Sequence, residues 1–518
     1  MCIFGLLFVL IAFDYGASQS MEGGDSLTTS IVGLEQLLET ENFLIQNLEN
    51  YANELEEKLL VIRSVITSLR EENGKARENS QYYISIPTNV FSLVRRLQKD
   101  WIYLDIYMRQ SVGDAQTKIL REQWSHLPKE SDLVEAVQAI SRLQDTYDLK
   151  AADLANGVIN GRTYDTNLSS LDCYTLGYEL FNQKEYISAG YWLYTALQLY
   201  GEDEITKLHN LNQYKLMELY AETLLRQFRH QDALSVINAM FVLPTLQPPE
   251  SNLIHKRIEL EKHIQIYNPQ PVIHPKTEPN AYQRGCRGEY ASRRPMLYCL
   301  YNTTTTAYLK LAPIKMEIVS LDPYMVMFHD VISDEEIGTL QDMARPVLKR
   351  ATVYSEEYKR SKVVASRTSK FAWFADNRNE VTTRINKRIA DMTGFDLFGS
   401  ELLQVMNYGL GGHYSTHYDF FNVSMTTDIV AKQGDRKATV LFYMTDVEQG
   451  GATVFPNIET AIFPKKGTAV MWYNLNNQYV GDYKTLHAGC PVLVGSKWVT
   501  NKWIRERNQV FRLPCYKE

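Results

Sequence analysis

A proline-rich segment divides this chain into two parts with different hydrophobic patterns. Four prolines fall between residues 268 and 279. Proline fixes φ and lacks a backbone N–H, so this segment cannot be helical and is expected to run extended. Before it, apolar residues recur at helical spacings, and from Met316 onward they follow short strands. Because 518 residues are too many for one core, we predict a multidomain α+β protein with its helices first.

The segment from residue 21 to 160 carries apolar side chains at spacings of three and four. This period predicts a long amphipathic helix and hence a helical association domain. Its apolar seam can be covered by another chain in a coiled coil or by helices of the same chain in a bundle, and both alternatives stay open. Further helices are predicted over 90–108 and 132–155. The residues of the seam are Leu34, Leu37, Leu44, Leu48, Tyr51, Leu55, Leu59, Ile62, Ile66 and Leu69.

Residues 161–267 resemble tetratricopeptide repeats. One copy covers 176–197 and a weaker one covers 220–244, with an insertion around 201–212 between them. Paired helices of this kind form a concave face, which is rich in tyrosine here and includes Tyr186 and Tyr220. A phenol is stable half-buried with its hydroxyl in water, so we predict an open groove for extended proline-rich peptides.

Short strands interrupted by glycine dominate residues 316–518. Strands are predicted over 439–444, 450–455, 467–473, 491–494 and 498–504, with helices over 333–348 and 379–393. This pattern predicts a double-stranded β-helix, or jelly roll, in which distant strands meet over one pocket. Residues 268–315 then form a linker between the helical and β parts.

A candidate metal site lies in the stretch from Asn407 to Phe421. On an extended strand, His417 and Asp419 point to the same side. Two histidines and one carboxylate form a face that holds Fe(II) with open positions opposite. His487 is the single histidine after Asp419, so a downstream third ligand must be His487. The alternative is a helical zinc pair of His413 with His417, but nearby glycines oppose a helix and the glutamate of H-E-x-x-H is missing.

Lys497 is the candidate cosubstrate residue. On a strand it shares one face with Val499, Asn501 and Trp503. An inward lysine is costly to bury unless it meets an anion. A dicarboxylic 2-oxo acid supplies that anion with its distal carboxylate while its 2-oxo acid end chelates the iron.

Charge and targeting signals suggest a secretory compartment. Net charge is −7, so no basic excess is present to bind nucleic acid. Residues 1–20 predict a signal peptide; an uncleaved membrane anchor is the alternative, but the apolar run is short for a bilayer span, and no run of 18 apolar residues follows it. Three sequons, at Asn167, Asn302 and Asn422, fit glycosylation. The C-terminus carries no KDEL-type signal, so retention in the endoplasmic reticulum would need another device.

The cysteines after the signal suggest two local disulfides. Cys286 lies near Cys299 in sequence, and Cys490 lies near Cys515. Pairing within each set, with Cys173 free, is the simplest arrangement in an oxidising compartment.

The β part closely resembles the catalytic region of procollagen prolyl 4-hydroxylase α subunits, which are Fe(II)- and 2-oxoglutarate-dependent dioxygenases of the endoplasmic reticulum. The upstream order of helical segment, tetratricopeptide module and linker also fits that family. The stretches that carry the resemblance are residues 328–334, 407–409, 417–419, 441–444, 450–456, 464–469, 490–497 and 501–503.

The resemblance implies a full set of site residues and partners. His417, Asp419 and His487 would bind iron, and Lys497 with Tyr408 and Thr453 would hold 2-oxoglutarate. Residues near the substrate proline would be Tyr414, Arg436 and Trp503. The reaction would give 4-hydroxyproline, succinate and CO2, with ascorbate restoring the iron after uncoupled cycles. The expected assembly is an α2β2 heterotetramer with protein disulfide isomerase in the lumen of the endoplasmic reticulum.

Two alternatives stay open at this point. The chain can be a catalytically silent peptide-binding or assembly subunit on the same scaffold, or it can act on a proline-rich secreted protein other than collagen. The role of His413, which replaces a different residue of the family, is also open.

Overall fold

A computed structural model of the protein describes residues 29–243, 251–267, 278–291, 298–355, 360–363, 366–421, 428–510 and 512. The chain forms two compact units, one of residues 32–130 and one that combines the described residues up to 31 with those from 131 onward. This division is coarser than the predicted segments, whose boundaries at residues 160, 267 and 315 stay predictions. The predicted signal peptide, Asn422, Cys515 and most of the proline-rich linker lie outside the described residues.

The unit of residues 32–130 is helical, as its apolar period predicts. Its long first helix contacts the segment before and within α5 (Asp114–Gln123): Asn47 Nδ2 donates to the Gln116 carbonyl at 3.0 Å, and the Gly113 N–H donates to Glu54 at 3.0 Å. Leu48 and Leu59 nevertheless stay 66% and 47% exposed, so the described chain covers only part of the seam. The helices are α1 Ile31–Glu78, α2 Ser80–Ser85, α3 Pro87–Arg95, α4 Trp101–Arg109 and α5 Asp114–Gln123, with a π-helical turn over Arg96–Asp100.

The second unit begins with α6 (Glu130–Tyr147), α7 (Ala151–Ala155) and a small hairpin of β1 (Val158–Ile159) and β2 (Arg162–Thr163). Residues 170–267, called the helical module below, contain two packed helix pairs, α8 with α9 and α11 with α12, and a short helix over Glu204–Leu208 occupies the predicted insertion. Small residues allow close packing: a Cβ added to Gly177 would lie 2.6 Å from Leu193. The helices of the module are α8 Ser170–Asn182, α9 Tyr186–Gln198, α10 Glu204–Leu208, α11 Gln213–Arg226, α12 His230–Met240 and α13 Ser251–Tyr267.

The β part contains a nine-stranded and a four-stranded antiparallel sheet. The larger sheet has the order β3-β4-β5-β16-β12-β19-β10-β9-β6, and the smaller has β11-β17-β14-β15. The strands are β3 Cys299–Asn302, β4 Ile314–Leu321, β5 Tyr324–His329, β6 Lys349–Arg350, β7 Thr352–Ser355, β8 Arg360–Val363, β9 Lys370–Phe374, β10 Leu403–Tyr408, β11 Tyr414–His417, β12 Arg436–Tyr443, β13 Gln449–Gly450, β14 Thr453–Phe455, β15 Thr460–Ile462, β16 Ala469–Tyr473, β17 His487–Gly489, β18 Val492–Val494 and β19 Lys497–Arg505.

The two sheets share one apolar core, which confirms the predicted jelly roll. Tyr408 and Trp472 from the larger sheet pack in the same cluster as Phe455 and Ile462 from the smaller one. Four helices accompany the sheets: α14 Ala281–Cys286, α15 Asp334–Ala344, α16 Glu380–Thr393 and α17 Asp428–Gln433. The predicted strands over 439–444, 467–473, 491–494 and 498–504 correspond to β12, β16, β18 and β19, and the predicted helices to α15 and α16. No helix of the described chain is both long and apolar enough to cross a membrane.

The predicted disulfide pairs are wrong. Cys286 is joined to Cys490, with 5.6 Å between their Cα atoms. The fold places α14 against β14 and β15, next to Cys490, whereas Cys299 lies exposed on β3 as a free thiol. Cys173 is free and fully buried, and burial raises its pKa to about 12.

The sequon at Asn302 does not fit a glycan. Asn302 is only 5% exposed, and its amide nitrogen donates to the Met392 carbonyl at 3.2 Å. The nitrogen that would carry the sugar is therefore inside the protein, and the prediction at Asn302 is wrong in the folded chain. Asn167, by contrast, lies on an exposed loop before α8.

Candidate active site

Three metal-ligating side chains converge between the two sheets. His417, the last residue of β11, pairs directly with His487, the first residue of β17. Asp419 lies two residues past β11, in a bend rather than on the predicted strand. One ligand atom from each of the three side chains lies within 4.8 Å of the other two. The predicted triad therefore forms, and the register of β11 with β17, not proximity in sequence, places His487 beside the other two ligands.

Backbone carbonyls fix the orientation of both imidazoles. Nδ1 of His417 lies 2.8 Å from the Ser415 carbonyl, and Nδ1 of His487 lies 2.9 Å from the Thr485 carbonyl. A carbonyl only accepts, so each Nδ1 carries the proton and each Nε2 keeps its lone pair. Each Nε2 lies 3.6 Å from an oxygen of Asp419. The three lone-pair donors thus face one common point.

The protonation states also suit a cation. Burial alone would raise the pKa of the Asp419 carboxyl, but His487 and His417 outweigh burial and hold that pKa well below its usual range. Burial lowers the pKa of His487 to about 4, so this imidazole is neutral at pH 7. An ionised carboxylate and neutral imidazoles are the ligand forms that bind a metal. Two imidazoles and one carboxylate, with the far side open, fit Fe(II).

A hydrogen-bonded pair behind Asp419 is a part of the site that the sequence interpretation missed. Thr439 Oγ1 donates to Asp419 Oδ2 at 2.6 Å, and Asn474 Nδ2 donates to Thr439 Oγ1 at 2.9 Å. Both residues are buried. Alternation along β12 places Thr439, Leu441 and Tyr443 on one face, which is the signal that would have found Thr439.

Lys497 lies inside the barrel, as the alternation of β19 predicts. It is 2% exposed, pairs with Tyr408 across β10 and β19, and donates from Nζ to the Gly451 carbonyl at 2.6 Å. Burial lowers its pKa to about 7. Among the described residues no carboxylate is paired with it, so an anionic ligand would stabilise its charged form.

A cavity of about 50 Å³ joins the metal ligands to Lys497. Asn501 Oδ1 and Trp503 Nε1, which belong to two of its lining residues, are buried and have no hydrogen-bond partner among the described residues. Buried polar atoms without partners are rare in native proteins, and here they are available to a ligand. The lining residues include Arg367, Met406, Tyr408, Tyr414, His417, Asp419, Thr439, Leu441, Thr453, Trp472, His487, Lys497, Asn501 and Trp503.

Tyr408 and Thr453, which are predicted to hold 2-oxoglutarate together with Lys497, both line this cavity. Tyr408 is buried, with its ring centroid 5.0 Å from Lys497 Nζ. Thr453 Oγ1 accepts a hydrogen bond from the Tyr443 hydroxyl at 2.8 Å. Tyr443 therefore orients Thr453, a role that the sequence interpretation did not assign.

Tyr414, Arg436 and Trp503 also gather here. The Tyr414 ring stacks on His417 with 3.6 Å between centroids. The Arg436 guanidinium lies 3.7 Å from the centroid of Trp503. Glu401 fixes that guanidinium with two hydrogen bonds, of 2.6 and 2.8 Å. Tyr414 and Trp503 line the cavity, whereas Arg436 lies behind Trp503 and contacts the Asp419 carbonyl at 3.3 Å.

His413 lies outside the metal-ligand triad and is held by a neighbouring threonine. Its Nδ1 lies 2.8 Å from Thr368 Oγ1, and burial, with Arg142 nearby, lowers its pKa to about 3. Among the described residues, the one group of three or more possible ligands is His417, Asp419 and His487. The segment Tyr414–His417 is a strand and not a helix, so the helical zinc pair of His413 with His417 does not form.

Tyr186 and Tyr220 lie in the helical module and not in this cavity. Both are half-buried: Tyr186 packs edge-on against Phe181, and Tyr220 lies 6.1 Å from Tyr194 between ring centroids. A separate cavity of about 370 Å³ lies between α11, α12 and α13, lined by Glu222, His230, His263 and other residues but by neither tyrosine.

Known proteins resemble the chain along nearly all of its length. Residues 30–161 match the family profile described as the prolyl 4-hydroxylase alpha-subunit, N-terminal region, and residues 403–505 match the 2OG-Fe(II) oxygenase superfamily. Human prolyl 4-hydroxylase subunit alpha-1 is 35% identical over 509 residues, covering 94% of this chain and 95% of the human protein. The alpha-2 subunit of Caenorhabditis elegans is 35% identical over 514 residues, covering 96% of this chain and 92% of that protein. A solved viral collagen prolyl hydroxylase of Paramecium bursaria Chlorella virus-1 is 29% identical over 35% of this chain and 95% of its own, with a TM-score of 0.28.

Proposed function

This chain belongs to the family of prolyl 4-hydroxylase α subunits, and from that premise we propose how its own residues carry out the reaction. It is a proline 4-dioxygenase that converts peptidyl proline to 4-hydroxyproline with O2 and 2-oxoglutarate, giving succinate and CO2. Its cofactors are Fe(II) and 2-oxoglutarate, with ascorbate. The observation that carries the assignment to this site is the pairing of His417 with His487 beside Asp419, in one cavity with Lys497.

The iron is held, in this proposal, by His417, Asp419 and His487. Bound Fe(II) would activate O2, which is the oxidant for both 2-oxoglutarate and the proline C4–H bond. The residues do the positioning: the Ser415 and Thr485 carbonyls aim the two imidazoles, and Thr439 aims the carboxylate. Such hydrogen bonds to ligands raise metal affinity and keep the open coordination positions on one side.

The distal carboxylate of 2-oxoglutarate meets Lys497, with Tyr408 and Thr453 beside it. The pKa of about 7 for the buried amine means that the carboxylate restores the charge of Lys497 on binding. This pairing is selective, because a monocarboxylic 2-oxo acid would form no ion pair with Lys497.

The substrate proline lies by Tyr414, Arg436 and Trp503. Tyr414 and Trp503 supply flat apolar surfaces beside the metal, and Glu401 and Arg436 hold the Trp503 ring in place. The main contribution of these residues is orientation of one C–H bond and exclusion of water. Tyr186 and Tyr220 belong to the module that we propose to bind the extended peptide at a distance from the reacting residue.

A hydroxylation assay tests this proposal. The full chain in its assembly is given a (Pro-Pro-Gly) repeat peptide, and both 4-hydroxyproline and succinate are measured by mass spectrometry. We expect equal amounts of the two products. Succinate without hydroxyproline would contradict the proline substrate, and neither product from iron-loaded protein would favour the catalytically silent alternative. Product mapping on secreted proteins would distinguish collagen-like from other proline-rich substrates.

We further propose an α2β2 assembly with protein disulfide isomerase in the lumen of the endoplasmic reticulum. The exposed apolar side chains of α1 support association with a second copy, because a helix in a closed single-chain bundle would bury them. The Cys286–Cys490 bond supports an oxidising compartment. Co-purification with protein disulfide isomerase, and a mass by light scattering equal to two copies of each subunit, would be the expected result; a lone monomer would contradict it.

A further inference from the structure

Helix α6, although it lies far from the site in sequence, contacts the strands that surround the cavity. Arg142 Nε donates to the Gly411 carbonyl at 3.2 Å, just before β11. Tyr147, the last residue of α6, is buried, and its hydroxyl donates to the Pro491 carbonyl at 2.6 Å, just after β17. Burial raises the pKa of Tyr147, so the phenol keeps the proton that it donates.

The Pro491 carbonyl connects Tyr147 to the lysine of the site. This carbonyl also accepts a hydrogen bond from the Gly451 N–H at 3.0 Å. The Gly451 carbonyl, on the other side of the same residue, accepts from Lys497 Nζ at 2.6 Å. One backbone residue thus lies between the hydroxyl-bound carbonyl and the ammonium.

The turn at Gly450 and Gly451 needs such external support. Both glycines have positive φ, at 78° and 68°, and glycine loses more backbone freedom on folding than any other residue, so contacts from outside the turn are needed to hold it in one conformation. A Cβ added to Gly450 would lie 2.6 Å from the Tyr147 hydroxyl and 2.7 Å from the Pro491 carbonyl oxygen. The Tyr147 phenol therefore packs tightly against the turn, in addition to donating its hydrogen bond to the Pro491 carbonyl.

We propose that Tyr147 is a positioning residue for 2-oxoglutarate: it fixes the Pro491 carbonyl, which fixes Gly451, whose carbonyl aims Lys497 at the distal carboxylate. This rests on the proposed pairing of Lys497 with that carboxylate. The N-terminal helical region would thereby supply a residue that the catalytic strands require.

Replacing Tyr147 with phenylalanine removes only the hydroxyl that donates to the Pro491 carbonyl. The ring stays, Arg142 still holds α6 to the Gly411 loop, and the Pro491 carbonyl keeps its bond from Gly451, so the fold is preserved. Tyr290→Phe is the matched control, because the Tyr290 hydroxyl also donates to a backbone carbonyl, that of Ala281 at 2.8 Å, and this bond is not one of the hydrogen bonds that lead from Tyr147 to Lys497.

The measurement is the Kd for 2-oxoglutarate by isothermal titration calorimetry, on the full chain in its assembly, with Mn²⁺ in the metal site and oxygen excluded. For Tyr147→Phe we expect a Kd raised roughly threefold to tenfold, as expected for the loss of one buried hydrogen bond, with an unchanged Mn²⁺ affinity. In the iron enzyme, KM for 2-oxoglutarate should rise while kcat at saturation stays within about twofold.

An unchanged Kd in Tyr147→Phe, or an equal rise in Tyr290→Phe, would overturn the inference. The variant Lys497→Ala distinguishes a failure of the Tyr147 inference from a failure of the proposed pairing between Lys497 and the distal carboxylate, on which that inference rests. If Lys497→Ala leaves the Kd unchanged, the assignment of Lys497 fails; if Lys497→Ala weakens binding and Tyr147→Phe does not, only the positioning role of Tyr147 fails.

Discussion

His417 and His487 lie directly opposite each other in the β11–β17 pair, with 4.3 Å between their ring centroids. Strand register, and not proximity in sequence, therefore sets the distance between the two imidazole ligands. A register slip of one residue would turn His487 to the other face of the smaller sheet and abolish the site.

Thr439→Val should weaken metal binding. The substitution removes the hydrogen bond to Asp419 Oδ2 and leaves Asn474 Nδ2 without its acceptor. Loss of a hydrogen bond behind a metal ligand typically costs about tenfold to a hundredfold in affinity, and we expect that range for Mn²⁺ or Fe(II) under nitrogen. Thr500→Val is the control, because this buried threonine on β19 bonds the Gln404 carbonyl instead. Equal affinities of the two variants would contradict the role of Thr439.

Binding of 2-oxoglutarate should become weaker as pH rises above about 7. Burial lowers the pKa of Lys497 to about 7, so above that pH the free protein holds a neutral amine that must take up a proton to meet the carboxylate. The bound pKa is higher than the free pKa, so Kd should rise by up to about tenfold per pH unit in this window and level off below pH 7. Calorimetry in two buffers of different ionisation enthalpy measures the proton uptake.

Lys497→Arg provides the control for that pH dependence. Arginine stays protonated throughout the range, so this variant should bind more weakly but without the rise above pH 7. A rise of the same slope in Lys497→Arg would show that another group titrates.

Arg436→Lys should impair use of the peptide without affecting 2-oxoglutarate. Lysine cannot keep both hydrogen bonds to Glu401 and the flat contact with Trp503. We expect kcat/KM for the peptide to fall about tenfold or more, from the loss of a bidentate charged pair. Arg388→Lys is the matched control, since Arg388 makes a similar bidentate pair with Glu336. A raised Kd for 2-oxoglutarate in Arg436→Lys would argue against a substrate role.

Gly177→Ala should destabilise the helical module, and Gly338→Ala should not. A Cβ at Gly177 would lie 2.6 Å from the Leu193 side chain, whereas one at Gly338 on α15 meets nothing within 4 Å. Overpacking costs about 1–3 kcal/mol, while alanine in an open helical position stabilises by up to about 1 kcal/mol. Chemical denaturation measures both. Equal stabilities would contradict the close packing of α8 on α9.

Local patterns were sufficient to predict many of these features. Alternation along β19 predicted that Lys497 faces inward, helical spacing predicted α1, and elimination among histidines predicted His487. The features that the sequence did not predict are contacts between residues far apart in the chain. Cys286 bonds Cys490 because α14 packs on distant strands, Asn302 is buried by α16, and Thr439 reaches Asp419 across 20 residues. Tyr147 reaches Pro491 across 344 residues. Alternation along β12 could have placed Thr439 on the inward face, but no local pattern names the distant partner of any of these residues, because the partner depends on how the elements pack.

The central claim is that His417, Asp419 and His487 hold the iron of this proline 4-hydroxylase, and iron content measured together with turnover tests it most directly. His487→Ala and His413→Gln are purified in the assembled form, loaded with Fe(II) under nitrogen and assayed for metal per chain and for succinate release with a (Pro-Pro-Gly) repeat peptide. The account predicts that His487→Ala loses both the metal and turnover, and that His413→Gln keeps the metal. Full iron content with turnover in His487→Ala, or loss of the metal in His413→Gln alone, would contradict it.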